Sequence, residues 1–406
     1  MLGTGSVSYT TAGRGGAVRI GLYIEHGVGN GVGGAELMMA HLASVWSRQH
    51  DVDLIHHRPP LTRERIAAFS TDDYTRVNVR CVPREDEAAA FANPIRRFRA
   101  ARDWHRAVSE GYDLFVNCTH WLPCFCHANT GALLVLFPFY TRPVDAPEIR
   151  SLPRWKQFRH AAYHDFEWRR RLGTYRHRFA ISEFSRDWTR RRWGIDCDIV
   201  YPPVEVEFPP ARKEPLILSV GRFSTMAHTK KQVEMMQAFR DLHEGLRGWT
   251  YASVGGLNTR PENHAYFDRV RGLAAGSSAM VEANVDRARV KDLFARASIF
   301  WHATGLDEDP DAHPELSEHF GIATVEAMAA GCVPVVINRG AQPDLVRHGE
   351  NGFVWSTLDE LKHYTRLLAN DAGLWARLSA AARRRAQDFT SGRFIETMTR
   401  RCIGHR

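Results

Sequence analysis

The chain has 406 residues, of which 44% are hydrophobic and 25% are charged, and its formal net charge is +8 at neutral pH. This composition excludes a fibrous or disordered protein, and the length suggests about two globular domains. The first residues lack the apolar core of a signal peptide, and the longest apolar run, 131–140, is about half of what a membrane span needs. We therefore expect a cytoplasmic protein whose positive charge suits an anionic partner, such as a nucleotide, a nucleic acid or an acidic membrane.

Strand and helix signals alternate in the first half of the chain. A strand predicted at 18–25 leads into a glycine loop that opens a helix, and further strands are predicted at 51–57, 112–118, 132–139 and 178–182. This alternation predicts a parallel sheet with helices on both faces.

The glycine loop contains a G-x-G-x-x-G pattern, formed by Gly29, Gly31 and Gly34. In a nucleotide-dependent oxidoreductase such a loop binds a dinucleotide, and that function is one alternative. The acidic residues Asp51 and Asp53 belong to the beginning of the second strand, where neither is well placed for an adenosine ribose. The pattern also predicts, through Gly33 and Gly34, a backbone that approaches a ligand closely, and a role in turn formation alone is the alternative.

Cysteine and histidine residues crowd together at 118–127, in the sequence CTHWLPCFCH. Structural zinc sites usually take two well-separated C-x2-C type pairs, and this spacing does not supply them. We therefore predict no metal site.

A basic segment with aromatic residues follows at 150–192. Trp155, Phe158, Ala162 and Phe166 recur at helical spacing among many arginines. Such a helix could lie on the inner face of a membrane or contact an acceptor. Alternatively, the apolar stripe belongs to the core and the charges are solvated.

The strand and helix pattern restarts after a proline-rich stretch at 202–215. Strands are predicted at 216–222, 249–255, 299–303 and 333–338, and helices at 232–242, 290–297 and 322–330. The fold class is therefore α/β, with two doubly wound domains that face each other. In such folds ligands bind at the carboxyl ends of the strands.

Two motifs of the second half suggest a phosphate-bearing ligand. Arg222 follows a strand, and Lys230 and Lys231 precede a helix, so cations from both ends of one loop could grip a diphosphate. In SEHFGIATVEAMAAGCVPVV, Glu318 precedes a helix start and Glu326 lies one to two turns inside that helix. A helix start attracts phosphate, and a carboxylate behind it can accept hydrogen bonds from ribose hydroxyls. Loop charge and a solvated helix face are the alternatives.

These motifs together resemble the retaining glycosyltransferases of family 4, also called group 1, which have the GT-B fold of two Rossmann-like domains. The resemblance covers nearly the whole chain and is most specific in EHFGIATVEAMAAGCVPVV and the GAQPDLVRHGENGFVW that follows it. It implies an acceptor-side domain at 17–205 and a nucleotide-sugar-binding domain at 206–387. A last helix at 388–406 is expected to pack back on the first domain.

The resemblance also implies the roles of individual residues. The catalytic set would be Arg222, Lys230, Glu318 and His120. The donor-binding set would be Gly33, Gly34, Arg222, Lys230, Lys231, Glu318, Phe320, Gly321, Ile322 and Glu326. Two departures from the family pattern leave open whether His120 reaches the active site and which of the two lysines binds phosphate.

The implied activity is sugar transfer, with retained configuration and without metal or cofactor, from a UDP- or GDP-sugar to an acceptor hydroxyl. We expect a hexosyltransferase in the synthesis of a glycan, glycolipid or glycosylated metabolite. A basic nucleic-acid-binding protein would also explain the charge, but no reader motif is present, so we expect no nucleic-acid partner. The donor sugar, its base and the acceptor stay open.

Overall fold

Two parallel β-sheets with helices on their faces make up the protein. The computed structural model describes residues 16–24, 33–57, 62–68, 70, 72–84, 94–139, 150–225, 229–243 and 245–404. No helix within these ranges is both long enough and apolar enough to cross a membrane.

The first sheet has seven parallel strands in the order β3-β2-β1-β4-β5-β6-β7. The strands are β1 Arg19–Ile24, β2 Asp51–His56, β3 Asn78–Cys81, β4 Leu114–Thr119, β5 Thr130–Val135, β6 His177–Ala180 and β7 Asp198–Ile199. The helices are α1 Gly34–Trp46, α2 Arg63–Ala67, α3 Pro94–Ser109, α4 Arg154–Gly173 and α5 Glu183–Trp193. The central strand β4 is buried along its whole length, as expected of a parallel strand covered on both faces.

The second sheet has six parallel strands in the order β10-β9-β8-β11-β12-β13. The strands are β8 Glu214–Val220, β9 Thr250–Gly255, β10 Ala279–Ala283, β11 Ala297–His302, β12 Val333–Ile337 and β13 Phe353–Trp355. The helices are α6 Gln232–His243, α7 Pro261–Ala274, α8 Arg287–Arg296, α9 Ile322–Ala329, α10 Gln342–Leu345, α11 Leu358–Asn370, α12 Ala372–Ala386 and α13 Ser391–Cys402. Short 3-10 helices lie at Pro314–Leu316 and Gln387–Phe389.

The doubly wound α/β fold predicted from the alternation is confirmed. In each sheet the strand order reverses beside the first strand of that half, so β1 lies between β2 and β4, and β8 lies between β9 and β11. Such a reversal leaves a crevice at the carboxyl ends of the strands, which is where ligands bind in open α/β sheets. The crevice of the second sheet lies where β8 and β11 end.

The two halves touch through apolar and polar contacts. One apolar cluster contains Leu42 and Trp46 from α1 together with Val325 and Met328 from α9. The hydroxyl of Ser182 donates to the carbonyl oxygen of His319 at 2.6 Å. Because these contacts join elements of both sheets, the halves lie close together in this structure.

The last helix lies against the first half. Trp46 in α1 donates its indole N–H to the hydroxyl of Thr399 in α13 at 2.8 Å. Phe394 and Met398 of α13 are buried in the same apolar cluster as Trp46. The chain therefore returns to the first sheet after completing the second.

Candidate active site

The loop after β8 presents Arg222 at the crevice of the second sheet. The buried side chain of Gln232, at the start of α6, donates to the carbonyl oxygens of Gly221 and Arg222, both at 3.1 Å. A Cβ atom at Gly255 would lie 1.8 Å from the carbonyl oxygen of Gly221, so two backbones meet here without side chains between them. Arg222 itself is exposed and makes no ion pair with a residue that the structure describes. Its backbone is thus held in place while its guanidinium is available to an anion.

Lys230, Glu318 and His302 form a polar cluster beside this loop. The Lys230 ammonium lies 2.5 Å from a carboxylate oxygen of Glu318, and the two side chains are 19% and 20% exposed. Nε2 of His302, at the carboxyl end of β11, lies 3.2 Å from the same oxygen. The structure therefore brings two of the predicted catalytic residues into direct contact.

The charges of this cluster follow from its surroundings. Burial raises the pKa of Glu318, but the Lys230 ammonium and the hydrogen bond with His302 outweigh burial and hold that pKa well below its ordinary value. Burial lowers the pKa of His302, against the opposing effect of Glu318. At neutral pH the cluster thus consists of an ammonium, a carboxylate and a neutral imidazole that donates Nε2–H to Glu318.

Lys231 faces a different partner. Its backbone has φ of 55°, in the left-handed region, and its ammonium lies 2.9 Å from Glu308. Residues that are adjacent in sequence therefore point to different acids, because the turn at Lys231 separates their side chains. Of the two lysines, Lys230 is the one in contact with Glu318.

The start of α9 supplies backbone N–H groups next to Glu318. Gly321 precedes the helix with φ of +108°, a conformation that glycine adopts without strain. A Cβ atom there would lie 2.4 Å from Nε2 of Gln342, which donates to the carbonyl oxygen of Phe320 at 3.4 Å. The N–H groups of Thr324 and Val325 donate to the carbonyl oxygen of Gly321 at 3.0 and 3.2 Å. The amides of Ile322 and Ala323 come before them and have no acceptor within the helix, as at any helix start. Such a helix end is suited to bind an anion.

Glu326 lies deeper in α9 and is almost fully buried. It accepts a hydrogen bond from Arg287 at the start of α8, and Arg287 also lies 3.1 Å from Glu205 in the segment between the two sheets. Burial raises the pKa of Glu326, and the Arg287 guanidinium acts against this rise. A ligand hydroxyl that binds Glu326 would therefore share the carboxylate with Arg287 or displace it.

The glycine loop of the first half meets the start of α9. The N–H of Gly33 donates to the Glu36 carboxylate at 3.0 Å, which caps the beginning of α1. A Cβ atom at Gly34 would lie 2.9 Å from Cδ1 of Ile322. The predicted donor-binding residues of the two halves are thus in contact here. Gly29 and Gly31 of the same loop lie outside the described residues.

His120 lies where the two halves meet. Its ring centroid is 6.0 Å from that of His319 and 5.3 Å from that of Phe139. His319 is buried and stacks on Phe137 with ring centroids 4.1 Å apart and ring planes 6° apart. His120 therefore borders His319, which follows Glu318 directly in the chain and leads into α9.

Three residues of the site were not predicted from the sequence. His302 ends a central strand, and the rule that ligands bind at strand ends could have singled it out. His319 lies inside the Glu318 to Glu326 motif, where its residue type alone indicates no role. Arg287 carries no local signal, because its relation to Glu326 arises only when α8 packs beside α9.

The cysteine-rich segment 118–127 is part of the first core. Cys118, Cys124 and Cys126 are buried, and the hydroxyl of Tyr175 donates to the carbonyl oxygen of Cys124 at 2.7 Å. Across the described residues there is no group of three or more histidine, cysteine, aspartate or glutamate side chains that could hold a metal ion.

Asp53 likewise has a structural role. Its carboxylate accepts hydrogen bonds from Tyr112 at 2.5 Å and from Asn78 at 2.8 Å, and it is buried at the amino-terminal half of β2. It lies away from the carboxyl ends of the strands, where a ribose would bind in the dinucleotide interpretation.

A cavity of about 270 Å³ lies beside the contact between the halves. On the first half it is bordered by α5, and on the second by the loop before Pro314–Leu316 and by α10. Its described lining is Phe184, Asp187, Trp188, Arg191, Pro310, Asp311, Gly340 and Asp344. None of the site residues predicted from sequence lines it.

The second half of the chain matches a known sequence family. Residues 205–385 match the sequence profile of the family described as glycosyl transferases group 1. A curated relative, the GDP-Man:Man(3)GlcNAc(2)-PP-Dol alpha-1,2-mannosyltransferase of Dictyostelium discoideum, is 26% identical over 229 residues. This alignment covers 52% of the present chain and 42% of the relative, so it spans less than half of that protein.

Solved structures show the same fold over nearly the whole chain. A glycosyltransferase from Rickettsia africae ESF-5 aligns with a TM-score of 0.68 and 13% identity, covering 94% of this chain and 96% of its own. Anabaena HepE in complex with UDP aligns with a TM-score of 0.63 and 16% identity, covering 94% of this chain and 99% of its own. The family model thus matches the part of the chain that holds Arg222, Lys230, Glu318 and Glu326, and the chain as a whole has the two-domain GT-B fold.

Proposed function

We propose that the protein is a retaining, metal-independent glycosyltransferase that moves a hexose from a UDP- or GDP-sugar to an acceptor hydroxyl. The observation that carries this proposal is the contact of Lys230 with Glu318 beside the start of α9, inside the group 1 domain. The UDP bound to Anabaena HepE, which has the same fold, supports a nucleoside-diphosphate donor. The proposed product is a glycan, glycolipid or glycosylated metabolite.

The diphosphate of the donor would bind where positive charge is available. Arg222 is exposed and without an ionic partner among the described residues, and Lys230 lies at the other end of the same loop. The start of α9 follows closely in the chain after Glu318, which contacts Lys230. Charge-assisted contacts of this kind favour the additional negative charge that develops on the departing diphosphate over the smaller negative charge of the intact donor. These groups would stabilise the negative charge of the diphosphate, as a divalent cation does in other transferases.

The remaining residues would hold the sugar and the nucleoside. Glu318 keeps its charge at neutral pH and can accept hydrogen bonds from sugar hydroxyls, while Glu326 can accept them from the ribose. Gly33 and Gly34 would close over the donor from the first half, and His120 with His319 would border the acceptor side. Lys231, paired with Glu308, would shape the loop rather than bind phosphate.

The proposed chemical step takes place on one face of the sugar. The bond between the anomeric carbon and the phosphate oxygen breaks, and the acceptor oxygen bonds to that carbon from the same side. The proton of the acceptor passes to the departing phosphate oxygen. Glu318 is engaged with Lys230 and His302, so we assign it no role as nucleophile or general base.

The stereochemistry can be tested without knowing the acceptor, because water can accept the sugar slowly. Proton NMR of the released sugar, recorded before mutarotation, should show the α anomer first from an α-linked donor. A Lys230→Ala variant should release it more slowly, by about tenfold or more, since a charge-assisted contact is lost. A β anomer formed first would overturn the retaining mechanism.

A further inference from the structure

Helix α4 presents an aromatic face to the outside of the molecule. Trp155, Phe158, Tyr163 and Phe166 are 61%, 76%, 53% and 57% exposed. Only Trp121 and Leu367 join them as exposed large hydrophobic residues in the part of the chain that the structure describes. At 100° per residue, all four side chains project within an arc of about 140° on one side of the helix. We call this surface the aromatic face.

The opposite side of α4 forms its contact with the protein core. Trp168 and Leu172 are buried, and Trp168 packs against Trp193 of α5 with ring centroids 5.0 Å apart. The alternative that the stripe of Trp155, Phe158 and Phe166 belongs to the core is therefore wrong. The helix is already anchored by its other side, so burial in this fold does not explain these aromatic residues.

Positive charge surrounds the aromatic face. The helix carries six cationic residues and two acids, which leaves an excess of four positive charges: Arg154, Lys156, Arg159, Arg169, Arg170 and Arg171 against Asp165 and Glu167. Lys156 and Arg159 each lie 5.4 Å from the ring centroid of Trp155, and Arg170 lies 5.5 Å from that of Phe166. Aromatic and cationic groups thus share one surface.

We propose that the aromatic face of α4 docks on an anionic lipid membrane. Aromatic side chains enter the boundary between headgroups and acyl chains, and basic side chains beside them bind anionic headgroups. A convex helix face fits a broad surface, whereas single-stranded nucleic acid is usually held in a basic groove. Charge complementarity and exposure therefore favour a membrane as the occupant.

The position of α4 relates the membrane to the crevice of the first sheet. A crossover helix between parallel strands runs opposite to them, so α4 starts near the edge where β5 ends. Trp155 and Phe158 lie in the first turns of α4 and therefore near the carboxyl edge of the sheet. Docking would bring this edge to the lipid surface. On the proposed function, an acceptor carried by a lipid could then reach the site.

Vesicle co-sedimentation of the full chain tests the proposal. The probes are vesicles of phosphatidylcholine alone and of equal parts phosphatidylcholine and phosphatidylglycerol, at low and high salt, and a single-stranded DNA oligonucleotide in a separate binding assay. The variants are Trp155→Ala/Phe158→Ala/Phe166→Ala and Arg159→Gln/Arg169→Gln/Arg170→Gln. Leu367→Ala, an exposed apolar residue of α11, is the matched control.

The wild type and Leu367→Ala should bind the anionic vesicles, and high salt or neutral lipid should reduce binding by about tenfold or more. The aromatic variant should lose about tenfold, and the arginine variant on the order of a hundredfold. Unchanged binding of UDP or GDP by both variants in calorimetry shows that they are folded.

Equal vesicle binding by all proteins would overturn the proposal, as would binding of the wild type to single-stranded DNA but not to vesicles. Failure of nucleotide binding in every protein would instead contradict the proposed function.

Discussion

Glu326 shows how one residue can be engaged before any ligand arrives. Its carboxylate is buried in α9 and accepts a hydrogen bond from Arg287, which is also tied to Glu205 between the sheets. If Glu326 binds the ribose, the ribose hydroxyls must compete with or complement this guanidinium. The strength of the ribose contact thus depends on a pair that couples α8 to α9.

A ligand without one ribose hydroxyl tests this role. We expect 2′-deoxy-UDP to bind the wild type more weakly than UDP, by about tenfold or more, because a buried acceptor would lose its donor. Glu326→Ala should bind both ligands with similar affinity, whereas Arg287→Ala should keep the preference for UDP. Calorimetry with each pair of ligands makes the comparison. The same preference in wild type and Glu326→Ala would show that Glu326 stabilises α9 and does not bind the ribose.

The sequence predicts which charged residues lie at this site better than it predicts which residues they contact. Arg222 and Lys230 could be selected because cations bracket a loop, and Glu318 because it precedes a helix start. The choice between Lys230 and Lys231 depends on a left-handed turn that neither residue type predicts. His302 and Arg287 reach Glu318 and Glu326 only through the packing of separate elements.

The start of α9 is the element on which the site depends. Gly321 takes a positive φ there, and the hydroxyl of Thr324 donates to Oε1 of Gln342 at 2.8 Å, so α10 supports the first turn of α9. Any side chain at position 321 would press against the Gln342 amide. The same glycine therefore sets both the direction of the helix and its distance from α10.

Gly321→Ala should destabilise the fold by about 1–3 kcal/mol, because an L-residue with this backbone conformation is strained. It should also weaken UDP binding, since the first amides of α9 would shift. Gly276→Ala is the matched control: Gly276 has φ of +76°, but a Cβ atom there meets nothing within 4 Å. Urea unfolding and calorimetry of both variants separate strain from ligand binding. A Gly321→Ala protein with normal UDP affinity would contradict this role of the helix start.

At the scale of elements, central strands were predictable and edge strands were not. The strands β1, β2, β4, β5, β8, β9, β11 and β12 consist largely of buried apolar runs that periodicity detects. The strands β3, β7, β10 and β13 are two to five residues long, and all but β13 lack buried residues. Their pairing depends on a neighbouring strand already being in place. Domain boundaries at 205 and 387 stay a prediction.

At the scale of the molecule, the contact between the two halves includes a titratable group, Asp344. An oxygen of Asp344 in α10 accepts a hydrogen bond from the backbone N–H of Phe184 at the start of α5, at 3.0 Å. Burial, and then the nearby charge of Glu183, raise the pKa of Asp344 to about 7. The ionised form is thus disfavoured where the halves meet.

The sign of the pH effect follows from this shift. The pKa of Asp344 in the folded protein lies above the ordinary value of 3.8. The stability contributed by protonated Asp344 is therefore fully present below pH 3.8 and is lost as the pH rises through about 7. Asp344→Asn keeps an acceptor for Phe184 without the charge. We expect its melting temperature to exceed that of the wild type by about 2–4 °C at pH 8, and the difference to shrink at pH 5. A larger gain at pH 5 than at pH 8 would contradict the assignment.

The central claim is that a nucleoside diphosphate binds at the carboxyl edge of the second sheet without a metal ion. Calorimetric titration of UDP and GDP in EDTA tests it most directly, with wild type, Arg222→Ala and Arg366→Ala, an exposed arginine of α11. The wild type and Arg366→Ala should bind at least one of the two ligands equally well with and without chelator. Arg222→Ala should bind that ligand about tenfold or more weakly, because a charge-assisted contact is worth about 1.5–3 kcal/mol. Loss of binding on chelation, or an Arg222→Ala protein with wild-type affinity, would contradict the account.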